Sequence, residues 1–388
     1  MNPSQNVRTP SLAKQLRASM PVAPKWAYFD HAAVAPVSGP AGEAISRWLA
    51  EAVSQGDADW PAWARGVEQT RQQAAVMIGA SAAEIALVTS TTMGINYVAE
   101  GLDWRPGDNV VVLADEFPSN MYPWLHQESK GVEVRTVPTD RGRVNLDEVR
   151  AACDARTRLV SASWVHYATG YRHNIAALCD IAHAAGALFF LDAIQGLGVF
   201  PLDVRETPVD FLAADGHKWL LGPEGAGVFY CREERLNELR PIGVGWGSVV
   251  GAHDFSKIDL TFKPTTARYE GGSCNMPGLL ALGASLELLS RWPRASIAAA
   301  VLEITDLACE RLRSVGAEIV SHREIEPNGH DPRSGIVAFA LPGRDPLALR
   351  QQALSAGVTL SCRAGRLRLS AHAYNDAADL ERLIAALA

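Results

Sequence analysis

Phe211-Leu212-Ala213-Ala214-Asp215-Gly216-His217-Lys218-Trp219-Leu220-Leu221-Gly222-Pro223 decides the reading of this chain. An apolar run leads into a polar turn. A second apolar run, Ala226 to Tyr230, follows it. Lys218 therefore sits on a turn between two strands buried on both faces. An ammonium held there loses hydration, and burial lowers its pKa. A lysine so tuned can act as an amine nucleophile and form a Schiff base with a carbonyl. A lysine on an exposed loop is the plainer reading of a bare His-Lys pair, so the rest of the chain must choose between them.

Working outward, seven apolar segments have the length of strands: Ile85–Val88, Val110–Leu113, Val132–Val137, Leu159–Ser163, Ala187–Leu191, Phe211–Ala214 and Ala226–Tyr230. Helical patterns separate most of them, at Thr92–Glu100, Leu146–Ala152 and Ile175–Ala185. Short strands apolar on both faces, with helices between, predict an α/β fold with a mainly parallel sheet covered on both sides. Ligands then collect at the carboxyl ends of the strands. Those ends carry Ser90-Thr91-Thr92, Asp115-Glu116-Phe117, Asp192 and the Lys218 turn. Before the sheet, helices are expected from about Pro40 and over Val67–Ile78. Beyond Pro277 come helices near 279–289 and 297–315, short strands near 336–341, 357–360 and 367–370, and helices near 346–356 and 376–387. The expected organisation is an N-terminal arm over 1–24, able to pack on a partner subunit, a large domain over 25–276 and a smaller α/β domain over 277–388. The first part of the large domain can pack with the small one.

The bulk numbers exclude several classes. Of 388 residues, 48% are hydrophobic and 20% charged, as in an ordinary globular protein. A net charge of −7 without a basic cluster argues against nucleic acid as a partner. No apolar run is long enough to span a membrane, and the first residues lack the apolar core of a signal peptide, so a cytoplasmic location is expected. Six scattered cysteines without a Cys-x-x-Cys pair, and histidines without metal-site spacing, point to no metal.

Two further stretches carry chemistry. Asp192 ends the apolar run Phe189-Phe190-Leu191. A carboxylate buried there needs a partner, either a turn amide or a protonated ring nitrogen that Gln195 would also reach. Thr89-Ser90-Thr91-Thr92 stands between a strand and a helix. Free N–H groups at the helix start suit a phosphate, whereas a plain N-cap would need one hydroxyl.

Asp192-x-x-Gln195 followed by Gly216-His217-Lys218, with Ser90-Thr91-Thr92 upstream, resembles the class V aminotransferase family. The likeness runs from Phe29-Asp30 to Tyr374-Asn375. These are pyridoxal-phosphate enzymes of fold type I, with a mainly parallel seven-stranded sheet and a smaller C-terminal domain. The group includes cysteine desulfurases, selenocysteine lyases, kynureninase and isopenicillin N epimerase. The resemblance implies pyridoxal 5'-phosphate on Lys218 as a Schiff base, Asp192 on the ring nitrogen, and Gln195 on the ring hydroxyl. It implies Thr91, Thr92 and His217 on the phosphate, and Arg368 on the substrate carboxylate. Ser273 matches a position that reaches the phosphate from a partner subunit, which implies a homodimer with a shared site. His31, Tyr167, Trp164, His166 and Tyr122 are candidates for the wall that receives a small amino acid.

The departures matter as much. Desulfurases stack a histidine on the ring; here Glu116-Phe117-Pro118 is nearer to kynureninase and gives the stacking role to Phe117. Desulfurases carry a nucleophilic cysteine on a loop between an Arg-x-Gly element and the carboxylate-binding arginine. Here Arg363-Ala364-Gly365 runs directly into Arg366-Leu367-Arg368, and Cys362 precedes the element as a packing thiol. Asp215 replaces a serine beside the phosphate, pointing away or acting through His217 or water. Tyr167 stands where desulfurases have an asparagine. The missing loop puts aminotransferase chemistry first, a lyase of the desulfurase or selenocysteine type second and epimerisation third. An idle binding protein of this fold would have lost Lys218, Asp192, Gln195 and Arg368, and all four are present.

Overall fold

The computed structural model describes residues 11–388. Seven strands form one sheet: β1 Ile85–Val88, β2 Asn109–Leu113, β3 Glu133–Val137, β4 Thr157–Ser163, β5 Leu188–Asp192, β6 Phe211–Asp215 and β7 Gly227–Cys231. They lie in the order β1-β7-β6-β5-β4-β2-β3. Within this sheet β7 runs antiparallel to both its neighbours, and the remaining pairings are parallel. This is the mainly parallel α/β sheet expected from the apolar runs.

The strands read as continuous apolar runs because each face has its own core. Val111, Val160, Phe189, Leu191 and Leu212 point into one. Their neighbours Val110, Val112, Leu159, Phe190 and Phe211 point into the other. Alternate residues of a strand face opposite sides, so two covered faces make most positions apolar. The edge strand β3, with one buried residue, shows the contrast.

A third core lies under a four-stranded antiparallel sheet made by Glu318–Ile319, Ile336–Ala340, Ser361–Arg363 and Arg366–Ser370. Helices Arg294–Ser314, Pro346–Ser355 and Ala377–Leu387 flank it. The chain is sewn to this sheet near its start. Ala27–Tyr28 pairs with Val358–Thr359, and Asp30 bridges to Ser370. Residues 32–34 then cross to the large sheet.

Local differences from the sequence reading have physical causes. The first ten residues of the expected arm lie outside the described residues. The following segment forms the helix Leu12–Ala18. It is fastened to its own chain rather than left as an arm: Arg17 grips Asp379 through Nη1 (2.7 Å) and Nη2 (3.0 Å). The second helix begins at Trp60, not Val67. Gly66 lies inside it, where a Cβ would stand 2.5 Å from Leu280 Cδ2. Glycine there lets the helix Met276–Ser290 pack closely, so close packing and not a turn explains it.

Candidate functional site

A cavity of about 270 Å³ opens at the carboxyl ends of β4, β5 and β6. Ser163, Asp192 and Asp215 are the last residues of those strands, and all three line it. Thr91, Thr92, Phe117, Tyr167, Gln195, His217, Lys218 and Arg368 line it as well. The structure thus brings together ten of the fifteen site residues expected from sequence.

Lys218 lies at the bottom, 8% exposed. Its ammonium makes no hydrogen bond among the described residues, and Nζ sits 5.6 Å from the centre of the Phe117 ring. Burial pulls its pKa down to about 8, with Asp192 opposing and Arg368 reinforcing the shift. Asp192 accepts from the Ile194 amide through Oδ1 (3.0 Å) and, among the described residues, has no protein donor on Oδ2. Burial pushes it up to about 6, against the pull of that amide and of Lys218.

The helix Thr91–Gly101 points its start at the same cavity, with Ser90 as its N-cap (Oγ accepting from Met93 N, 3.1 Å). Thr91 Oγ1 accepts from the Asp215 amide (2.9 Å), which locks the helix start to the end of β6. Thr92 Oγ1 donates to Ser119 Oγ (2.9 Å). Asp215 turns its carboxylate to its neighbours: Oδ1 accepts from the Gly216 amide (2.7 Å), while Oδ2 lies 2.9 Å from His217 Nδ1. That nitrogen is buried yet makes no hydrogen bond, because the carboxylate sits out of line with it. Gln195 accepts the Trp219 indole N–H (2.8 Å) and donates to Ala32 O (3.0 Å). One amide hydrogen remains for the cavity.

Arg368 is 1% exposed. Its Nε donates to Ser361 Oγ (3.0 Å), Nη1 to Tyr167 O (2.6 Å) and Nη2 to Asp30 Oδ1 (3.3 Å). Two of its five N–H groups stay uncommitted. Burial draws its pKa down to about 10. The Tyr167 ring stands edge-on to Phe117, centres 5.3 Å apart.

Five expected residues are elsewhere: besides His31 and Ser273, the buried Trp164 and His166 and the exposed Tyr122 do not line the cavity. His31 is fully buried and is not part of the wall. Its Nδ1 meets Ser370 O and its Nε2 meets the Tyr374 hydroxyl, both at 2.9 Å. Burial drives its pKa down to about 3 and keeps it neutral. The wall is built by its neighbours Ala32, Ala33 and Val34. Polarity made His31 look like a site residue, but the bridge from Asp30 to Ser370 carries it into the interior. Ser273 is exposed and lines a separate depression beside β1.

Two more residues, named from sequence without a role in the site, belong to it. Glu116 lies buried behind Ser163, accepting its amide (2.6 Å) and its hydroxyl. Burial pushes its pKa up to about 7, and the charge of Asp192 adds to the rise. Arg363 also lines the cavity. Strand alternation around the Ala364-Gly365 turn would have placed it on the face of Arg368.

The uncommitted groups match one kind of ligand. A free oxygen of a buried carboxylate suits a ring N–H. A buried lysine without a partner suits an aldehyde. Hydroxyls and amides at a helix start, beside the His217 imidazole, suit a phosphate. The family model "Aminotransferase class-V" matches residues 27–383. The chain belongs to the class V aminotransferase family. That family works with pyridoxal phosphate, and this chain is one of its enzymes.

Within the family, the chain is 32% identical to a probable cysteine desulfurase of Methanothermobacter thermautotrophicus, over 86% of this chain and 82% of that one. It is 34% identical to a cysteine desulfurase of Klebsiella pneumoniae, over 71% and 67%. Its fold matches the cysteine desulfurase of Thermococcus onnurineus NA1 with a TM-score of 0.86, at 24% identity and 97% coverage of each chain. It matches the cystine C–S lyase C-DES with a TM-score of 0.87, at 22% identity, over 95% of this chain and 98% of that one. The fold-type I architecture expected from the motifs is the one these structures share. Among the described residues no helix is long and apolar enough to cross a membrane.

Proposed function

We propose that this class V enzyme takes a small amino acid at the cavity, removes its α-hydrogen with Lys218 and transfers its amino group. When bound, pyridoxal phosphate supplies the electron-withdrawing ring that makes that hydrogen acidic. Asp192 would hold the ring nitrogen in its protonated form, through a charged hydrogen bond worth about 1.5–3 kcal/mol. Phe117 would cover one ring face, and Gln195 would orient the ring hydroxyl. Thr91, Thr92 and the helix start, with His217 beside them, would hold the phosphate, while Asp215 keeps His217 in place. Lys218, neutral in part near its pKa of about 8, is basic enough to take a proton and placed to return it. The two spare N–H groups of Arg368 would anchor the α-carboxylate, beside the Tyr167 ring.

The observation that carries transfer over cysteine-based sulfur removal is the hairpin between Ser361–Arg363 and Arg366–Ser370. Arg363 pairs directly with Arg366, so two residues, Ala364 and Gly365, make the whole turn. No loop is left there to carry a nucleophile, and no cysteine lines the cavity. Cys362 alternates to the face opposite Arg363. Accordingly, Cys362→Ser should leave turnover unchanged, and mass spectrometry after incubation with L-cysteine should find no persulfide. A persulfide on any cysteine would overturn this reading. The relatives named as cysteine desulfurases favour a second outcome, in which loss of a sulfur β-substituent follows the same proton removal without an enzyme thiol.

A homodimer fits the surface. Trp246, Phe255, Ile258 and Leu260 are 44–97% exposed on one segment, and exposed large apolar side chains grouped in this way suit an interaction face. Ser273 would reach the partner's phosphate site. Six unpaired cysteines suit a reducing, cytoplasmic location, and a net charge of −7 suits no nucleic-acid partner.

A further inference from the structure

We propose that the substrate carries a second acidic group at the end of a short side chain, and that Arg363 binds it. This rests on the amino-acid chemistry proposed at Lys218. The argument begins with the hairpin. Ser361 lies opposite Arg368 and Arg363 opposite Arg366. Opposed residues of an antiparallel pair share a face, so Ser361, Arg363, Arg366 and Arg368 all point the same way. Arg363 and Arg368 are then diagonal neighbours, with backbones roughly 7–8 Å apart. Both side chains border the Lys218 cavity.

Their partners differ. Arg368 is held on three sides and paired with Asp30. Arg363 donates through Nη1 to Cys362 O (2.9 Å) and, among the described residues, has no carboxylate within ion-pair distance. The carboxylates that line the cavity are Asp192 and Asp215. The first is buried at the end of β5, and the second is engaged by Gly216 and His217. Arg363 therefore brings an uncompensated positive charge to a cavity wall. Its hold there is firm, because Ala364 and Gly365 adopt φ of 48° and 71° and close the tightest hairpin turn. Two guanidinium groups on one rigid face, one anchored and one unpaired, form a fork for two carboxylates at the spacing of aspartate or glutamate. A neutral side chain would leave Arg363 facing the cavity without an acceptor. That is a basis for discrimination as well as affinity.

The test uses the holoenzyme and two unreactive probes, succinate and butyrate, with binding measured by calorimetry. Succinate should bind about tenfold or more tightly than butyrate, the effect of one charge-assisted hydrogen bond. Arg363→Gln should bring the two affinities together while leaving butyrate unchanged. Arg363→Lys, which keeps the charge, should preserve most of the difference. Among substrates, kcat/KM for aspartate over asparagine should fall in Arg363→Gln by a similar factor. Equal affinities in the native holoenzyme would overturn the proposal. So would equal weakening of both probes by Arg363→Gln, which would place both arginines on one carboxylate. A protein that retains no pyridoxal phosphate would instead remove the reading on which the proposal rests.

Discussion

Lys218 and Asp192 face each other in the cavity with opposite pKa displacements, both caused by burial. In the cofactor-free protein this makes Lys218 a stability term with a defined sign. Its pKa is about 8 folded against 10.5 for the free side chain, so between those pH values the unfolded chain binds more protons. Stability then rises with pH across that window. Urea titrations of cofactor-free protein should show native stability gaining about 3 kcal/mol over Lys218→Met between pH 8 and 10.5. Parallel curves for the two proteins would mean that the ammonium is not desolvated. Asp192→Asn, which keeps size but removes charge, should retain cofactor and lower kcat about tenfold to a hundredfold; an unchanged kcat would remove Asp192 from its role. Both residues were legible because a charged side chain closing an apolar strand has few structural reasons to be there. His31 was misread for the complementary reason. Its burial depends on Ser370 and Tyr374, more than 300 residues away in the chain.

Elements were legible where their own pattern specifies them. Ile85–Val88 and Leu146–Ala152 have the bounds that the sequence suggested. Two-residue strands such as Ala27–Tyr28 exist only through a distant partner, and the Ser361–Arg363 strand depends on its turn. Ala364 occupies the left-handed region, which costs a non-glycine residue about 1–2 kcal/mol. Ala364→Gly should recover about 1 kcal/mol in chemical denaturation without altering cofactor binding; a loss of stability would show that the turn is not as described. A second device ties the sheet edge together. Arg71 donates to both Glu270 oxygens and to Ile85 O (2.9 Å), and Glu270 also accepts from Leu87 N (2.8 Å). Arg71→Ala would leave Glu270 with the Leu87 amide alone at the edge of β1, at a cost of about 1–3 kcal/mol. The check is the denaturation midpoint, and a change under 1 kcal/mol would contradict it.

For the whole molecule, the mainly parallel sheet, the covered faces and the cavity at the strand ends follow from the alternation of apolar runs and helices, whereas the strand order does not. The surface does not follow so readily, because Trp246, Phe255, Ile258 and Leu260 read like core residues until the fold leaves them outside. If they seal a dimer, the double substitution Ile258→Asp and Leu260→Asp should yield monomers by sedimentation and weaken phosphate holding through loss of the partner's Ser273. Dimers that survive it would move the interface elsewhere. Amino-group transfer at Lys218 is tested most directly by a visible absorption titration of the purified holoenzyme with single L-amino acids, without any keto acid. The cofactor band should bleach with one amino acid and return only when a keto acid is added. A band that persists while cysteine is consumed and sulfide appears would contradict transfer and establish a sulfur lyase.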